Sequence, residues 1–484
     1  FILFFCVLFL SSCSTSTKPE TGSLSGKIIL VNDTGDPALD PVDYSGITVA
    51  LYNLAYLDTT IVRINNQYPQ IGVQINQETE FDHRYQNPIA TILTDSHGQF
   101  TFSDIPLSNY NIILFKEGWG IKYLYNISIN SKHLYINNIL QIILYPEIIL
   151  SPIEQNNINM QEGHTYRVIN DAILANNLYI HDDIFLLIDP GCKIDIYGNI
   201  FVYNQNNIFS KITTSDSMYS TICQDSLNYF DCIRVLNNEN SNIENIIYKN
   251  SLNGLYFSNS EIIIDNSIFK DNLSFALCCL DINMNLNNVI LYNNIYKGVE
   301  CNNETIFMNN CIIINNQTGV FLQNAISHIS NCFVGKNWFG IRPFLGEIEI
   351  ENNCIDENNI AIAACALNIT AIMNCFHDNL VDIEFSGYPT GAGPILTCNP
   401  EIRSNNFYGN KIYIDIRGYH TIYGDGQHQP YLGLHTNHIF PNNYLKEDDL
   451  TLHIYDSNYP NSHLPYSVTF IPRIYIPITS AGIN

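Results

Sequence analysis

Asn310-Cys311-Ile312-Ile313-Ile314-Asn315-Asn316-Gln317-Thr318-Gly319-Val320-Phe321-Leu322 holds the marker residues of a pattern that recurs on both sides of it. Asparagines recur at Asn250, Asn272, Asn294, Asn316, Asn337, Asn359 and Asn379, in steps of 22, 22, 22, 21, 22 and 20. A second series runs Asn245, Asn266, Asn288, Asn310, Asn331, Asn353 and Asn374, in steps of 21, 22, 22, 21, 22 and 21. Four residues before the first series stand Ile246, Ile268, Ile290, Ile312, Phe333 and Ile355. Two to four residues after it come Gly254, Ala276, Gly298, Gly319, Gly340 and Ala361, each followed by Leu, Val or Ile.

A fixed period of this size marks a solenoid, propeller or array. The units are rich in Ile, Phe, Tyr and Val and broken by Asn and Gly, so they predict short strands and tight turns. Coils pairing with those above and below at ~4.8 Å place equivalent residues on top of one another. Stacked Asn amides can then bond from coil to coil and satisfy the backbone groups that a sharp bend leaves unpaired. The pattern, over most of residues 164–410, resembles the right-handed parallel β-helix repeats of the pectate-lyase-like superfamily. That fold carries lyases, hydrolases, epimerases, adhesins and inert surface proteins alike. The expected class is all-β: about ten or eleven coils of a right-handed parallel β-helix before Asn410, preceded by a small β-sandwich.

Lys plus Arg is 21 and Asp plus Glu is 46, a formal charge of -25. This balance argues against nucleic acid, and against anionic polysaccharide unless cations intervene. The apolar run Phe1 to Leu10 is too short to span a bilayer. With Leu10-Ser11-Ser12-Cys13 it resembles a bacterial lipoprotein signal with its lipobox (1–13). The resemblance implies lipid attachment at Cys13, a Ser/Thr tether (14–22), and a place in the cell envelope, at the outer membrane or cell surface.

Residues 23–145 lack the period. Gly46-Ile47-Thr48-Val49, Thr94-Asp95-Ser96-His97-Gly98-Gln99-Phe100, Ile105-Pro106, Tyr110-Asn111-Ile112 and Lys116-Glu117-Gly118-Trp119 resemble the carboxypeptidase regulatory-like, transthyretin-like sandwich. In that family the domain is a spacer or binding accessory. A long insertion, 53–88, gives no readable conformation. Residues 146–163 read as a linker, 164–410 as the β-helix, and 411–484 as terminal coils and a cap.

Of fourteen cysteines, Cys6 lies in the signal and Cys13 at the lipobox, which leaves twelve in the chain beyond. Cys311, Cys332, Cys354 and Cys375 fall at steps of 21, 22 and 21, which suits a stacked column of small apolar side chains. Disulfides between adjacent coils are also sterically open, and Cys223 with Cys232 could close a small loop. No pair of cysteines or of the C-terminal histidines has metal-ligand spacing.

Marks of catalysis are sparse. Arg342-Pro343 lacks the second Arg of pectate lyases, and His181-Asp182-Asp183 lacks the glycine partners of polygalacturonases. With the repeat as a ruler, Glu357 and His377 become vertical neighbours, two residues before their ladder asparagines, with Asp356 and Asp378 beside them. Asp382 and Glu384 follow on the same coil, before the Gly/Pro-rich loop Ser386–Pro400. Glu357, His377 and Asp378 are the candidate acid and base groups, and Asp356, Asp382 and Glu384 candidate ligand-binding residues. The alternating Glu347, Glu349 and Glu351 leave Ca²⁺ as the only cofactor in question, and no metal site is assigned. These features favour a lipid-anchored rod that binds glycans or cell-surface proteins. The alternative is a polysaccharide lyase or glycoside hydrolase acting near the 386–400 loop.

Overall fold

The computed structural model describes residues 20–32, 36–129, 134–135, 142–181, 183–202, 209–214, 229–236, 240–258, 261–365, 368–386, 398–408, 414–418, 437–439, 442–446, 452–456, 467–469, 473–474 and 476–483. The chain forms two compact units. The first comprises residues 1–54, 87–116 and 122–144, and the second residues 55–86, 117–121 and 145–484.

The first unit is built on two four-stranded sheets. In one, Thr21–Leu30 pairs antiparallel with Gln99–Pro106 and parallel with Leu134–Tyr135 and Ile142–Leu144. In the other, Thr48–Asn53 lies between Ala90–Leu93 and Ser108–Phe115, both antiparallel to it. The Asp95–Gly98 motif makes the turn between sheets: Asp95 Oδ1 accepts from the backbone N–H of His97 (2.9 Å) and Gln99 (2.8 Å). Gly98 has φ +77°, and a Cβ there would strike the Ile28 carbonyl oxygen. Only glycine suits that position.

The second unit is a right-handed parallel β-helix. Each coil contributes one short strand to a 14-stranded parallel sheet, and most contribute two strands to a 22-stranded one, in which Thr318–Ser330 and Phe339–Glu351 each run through as one long strand. Among the described residues, eleven strands of the 14-stranded sheet run from Thr165–Val168 to Asn406–Phe407. Coils also exist outside the expected bounds. Ile148–Ile149 pairs parallel with the next coil, as do Ile153–Glu154 and Ile158–Asn159. Residues 146–163 therefore carry a coil where a linker was expected, since Pro and Asn suit two-residue strands as well as connectors. Past Asn410, Ile414–Gly418 and Asn443–Leu445 continue the pairing. Among the described residues, no helix is long and apolar enough to cross a membrane.

The interior is filled by stacked columns of Ile, Leu, Val and Phe side chains from successive coils. The column Leu255, Leu277, Val299, Val320, Ile341 and Ile362 is in register coil to coil, as the spacing implied. The preceding glycines are needed because a Cβ at Gly298 would lie 2.6 Å from the Gly319 carbonyl oxygen of the next coil.

The asparagine ladders are real but offset from the repeat as counted. The first ladder is Ser251, Asn272, Asn294, Asn316, Asn337, Asn358 and Asn379, each backbone N–H donating to the next side-chain oxygen at 2.9–3.2 Å. Asn250 and Asn359 are not members. Asn250 sits at φ +61°, in the left-handed turn position that precedes the ladder. The second series mixes two positions. Asn245, Asn266, Asn288, Asn310 and Asn331 have positive φ, whereas Asn353 and Asn374 are buried and continue through Asn405 to Asn443. Asn is frequent because two roles call for it: it tolerates φ > 0, and its amide carries both donor and acceptor.

The four cysteines also divide. Cys311 and Cys332 lie inside the coil, where the Cys332 backbone N–H donates to Asn353 Oδ1. Cys354 and Cys375 instead continue the Phe333 column on the outer face of the 14-stranded sheet. All described cysteines are free thiols, Cys232 among them, while Cys223 lies outside the described residues.

Residues 55–86, unreadable in the sequence, form a strap across the outer face of the 14-stranded sheet. Two helices, α1 (Thr59–Gln67) and α2 (Gln77–Glu80), are capped by Asp58 and Asn76. Ile61, Ile64, Ile71 and Ile75 cover the outward column Ile247, Ile268, Ile290, Ile312 and Phe333. The next outward column begins Lys249, Lys270 and Tyr292, and the strap supplies carboxylates to it. Asp82 accepts from Lys249 Nζ (2.6 Å) and Arg84 Nε (2.8 Å), and Glu80 from Lys270 Nζ (2.7 Å) and Tyr292 Oη (2.7 Å).

Candidate functional site

The column that starts at Lys249 continues past the strap through Ile314 and Gly335 to Asp356 and His377. Asp356 and His377 are register partners on adjacent parallel strands, and both point outward, because Ile355 and Phe376 between them and their neighbouring thiols face the interior. Glu357 and Asp378 follow in the turn with φ +53° and +45°. The ladder through Asn358 thus shifts the expected pairing by one residue: Asp356 stacks with His377, and Glu357 with Asp378. The Glu357 backbone N–H donates to the His377 carbonyl at 3.1 Å, which holds the two turns together.

Cations from two sources border this corner. From the strap, Arg63 approaches Asp356 at 4.0 Å. From the coil below, Lys336 lies 3.5 Å from Glu357 and donates to Thr60 Oγ1 at 3.1 Å. Along the column, His377 stacks on Tyr408 with ring centroids 4.4 Å apart and planes 7° from parallel. The C-terminal segment returns beside it: Ile478 exchanges two 2.8 Å hydrogen bonds with the Asn406 side chain, and the Gly482 N–H reaches the Met373 carbonyl at 2.6 Å.

Burial sets the protonation of the site. Asp356, 15 % exposed, is pushed up to about 6 by burial and by Glu357 and Asp378, against the pull of Arg63 and Lys336. Burial lowers His377 below the usual imidazole range; Lys446 adds to this and Asp378 opposes it. Near neutral pH the corner therefore combines a carboxyl that titrates close by with a neutral imidazole. Groups of this kind can donate and accept protons or hydrogen-bond the hydroxyls of a polar ligand. Asp378 acts on both groups, raising Asp356 and His377 alike.

Asp382 and Glu384 are not part of this corner. Asp382 is wholly buried inside the coil, where the register of Val381 with Ile360 and Ile383 with Ile362 places it next in the column of small residues that includes Ala361. One carboxyl oxygen accepts from Asn379 Nδ2 at 3.0 Å, and the other has no hydrogen-bond partner among the described residues. Burial raises this acid well above the carboxylate range, so it ends the ladder as a neutral group and cannot meet a ligand. Glu384 pairs with Ala363 on the 22-stranded sheet, a different face. The loop beside them lies outside the described residues from 387 to 397.

Glu347, Glu349 and Glu351 do share an outer face, but neighbours occupy two of them: Asn368 bonds Glu347 (3.1 Å) and His328 bonds Glu349 (3.1 Å). Among the described residues, no group of three His, Cys, Asp or Glu side chains is arranged to hold a metal ion. The sequence reading missed Arg63, Lys336 and Tyr408. Lys336 could have been found, since it lies 21 residues before Glu357 in the same turn column; Arg63 could not, because nothing in the strap shares the period.

The fold and the corner define a parallel β-helix protein with a titratable patch on one outer face. No family model matches the sequence, and no curated protein is similar to it. Solved structures with related winding include the A-module of the Azotobacter vinelandii mannuronan C-5 epimerase AlgE6, with 10% identity over 69% of this chain and 91% of that one, and TM-score 0.36. The periplasmic alginate epimerase AlgG shares 9% identity over 66% of this chain and 79% of its own, with TM-score 0.24. The Yersinia enterocolitica family 28 exopolygalacturonase shares 9% over 89% and 95%, with TM-score 0.28. Likeness at this level is confined to the winding of the chain.

Proposed function

We propose that this is a cell-envelope lipoprotein, anchored through Cys13, whose carboxypeptidase regulatory-like N-terminal domain spaces a saccharide-binding β-helix from the membrane. The ligand surface is the corner formed by Asp356, Glu357, His377 and Asp378, with Arg63, Lys336 and Tyr408 around it. The observation that supports this reading is the convergence of carboxylates, cations and a partly exposed aromatic stack on one outward column. Such a mixture of hydrogen-bonding groups and a ring face suits a polyhydroxylated ligand.

A second reading, a polysaccharide lyase or glycoside hydrolase, is favoured by one observation: a carboxyl near 6 stands one coil from a neutral imidazole. Acid and base roles would fall to Asp356 and His377, with Glu357 and Asp378 as alternatives. A glycan array run beside reducing-end and unsaturated-product assays, with and without Ca²⁺, separates the two. Binding without turnover is the result expected. Turnover that disappears in His377→Ala would replace the binding reading with the enzymatic one, and the absence of both binding and turnover would remove both.

A further inference from the structure

The register that stacks Asp356 on His377 also stacks Cys354 on Cys375, two residues earlier on the same strands and on the same outer face. Neighbouring parallel strands lie ~4.8 Å apart, within the range of roughly 4.4–6.8 Å between Cα atoms that a disulfide spans. Two other cysteine pairs are stacked in this way, Cys279 with Cys301 and Cys311 with Cys332. All four of those thiols are wholly buried inside the coil, where a disulfide reagent cannot reach them.

The outer pair differs. Cys354 is the more covered thiol, under the strap, and Cys375 is only partly buried. Cys375 Sγ donates to the Ala481 carbonyl at 3.0 Å and accepts from Asn406 Nδ2 at 3.5 Å, so it is one of the ties that hold the C-terminal segment to the sheet.

We propose that Cys354 and Cys375 form a redox-modification site, a dithiol that closes to a cross-coil disulfide by exchange with a small disulfide such as oxidised glutathione. The Cys375 thiolate attacks one sulfur of the reagent, giving a mixed disulfide and expelling one glutathione thiolate. The Cys354 thiolate then attacks the Cys375 sulfur, which forms the protein disulfide and expels the second glutathione. The two protons lost from the cysteines pass to the two released thiolates, and the cysteine pair supplies the two electrons that reduce the reagent.

Closure has a local consequence. Cys375 can no longer donate to Ala481, so the C-terminal segment loses one of its ties to the sheet while the Asn406–Ile478 pair and the Gly482–Met373 bond stay in place. The strands carrying Asp356 and His377 become covalently linked. The site stands on the cysteine geometry alone and is independent of the saccharide reading.

The test treats the folded full chain with oxidised glutathione, alkylates the remaining thiols, and maps unreduced peptides by mass spectrometry. The expected product is a Cys354–Cys375 link, two hydrogens lighter than the dithiol. Cys354→Ser should give instead a stable glutathione adduct on Cys375. Amide exchange at Gly482 and Ala481 should quicken several-fold on oxidation of the native chain and remain unchanged in Cys375→Ser under the same treatment. Full alkylation of both thiols in the treated native chain, or an adduct on Cys375 that never resolves to the link, would overturn the proposal.

Discussion

Replacing Asp82 with alanine should release the strap from its polar footing. The carboxylate is 5 % exposed and receives Arg84 and Lys249, themselves 6 % and 4 % exposed. Arg84 also reaches Thr213 Oγ1 at 2.8 Å, so the group joins the strap to a second strand of the sheet. Without Asp82, two buried cations face each other with no anion between them. Breaking one buried pair costs about 3–5 kcal/mol, and because two cations share this carboxylate the upper part of that range is expected. Replacing all three residues with apolar ones of similar volume, Asp82→Leu, Arg84→Met and Lys249→Met together, removes the stranded charges and should restore stability close to that of the native chain. The dependence on pH gives a second signature. Burial alone would raise Asp82, but Lys249 and Arg84 outweigh it and hold the acid well below its ordinary value. The stabilisation is therefore present above the unfolded value near ~4 and is lost as pH falls towards the folded one, so Asp82→Ala should flatten the acid limb of a stability–pH curve. Urea unfolding between pH 3 and 8, with amide exchange across residues 61–75, measures both effects. A cost below about 1 kcal/mol for Asp82→Ala, with an unchanged acid limb, would refute the view that this network seats the strap.

Asn353→Ala should cost about 2–6 kcal/mol, because it leaves the Cys332 N–H and the Ile329 carbonyl without their buried partner, at roughly 1–3 kcal/mol each before relaxation, while Asn374 Oδ1 keeps the residue-353 backbone N–H; denaturant melts would check it. Asp356→Asn should abolish a pH-dependent step: the raised acid favours the folded state fully below about pH 4, an advantage lost as pH rises through about 6. Asp382→Asn keeps a neutral group at the end of the ladder, so thermal melts should show little change near pH 6 and a gain over the native chain at alkaline pH, where the buried acid is forced towards ionisation.

Much of the fold could be read from the repeat, because a parallel coil forces equivalent side chains into register and leaves a period in the sequence. The column from Leu255 to Ile362 was visible for that reason. The error came from the same source. Asparagine stands at the left-handed position in some coils (Asn293, Asn315, Asn352), in the ladder beside it (Asn294, Asn316, Asn353), and elsewhere just after the ladder (Asn359), so the sequence offers adjacent asparagines and only hydrogen bonding tells them apart. Counting Asn359 instead of Asn358 displaced Glu357 onto His377, when Asp356 is its true partner. The four evenly spaced cysteines fell to the same one-residue slip at the 22-residue step between Cys332 and Cys354. The strap left no such trace: Arg63 and Asp82 meet the coil across nearly 170 to 290 positions, through contacts that no local pattern encodes.

The saccharide reading rests on one corner of one sheet, and a glycan array probed with the native chain, with the Asp356→Asn/His377→Ala double variant and with a Glu347→Gln/Glu349→Gln control addresses it directly. The account predicts that the native chain and the control bind the same glycans, while the corner variant loses at least about tenfold in affinity, on the order of 1.4 kcal/mol or more. Equal binding by the corner variant, or loss in the control alone, would place the ligand on another face and contradict it.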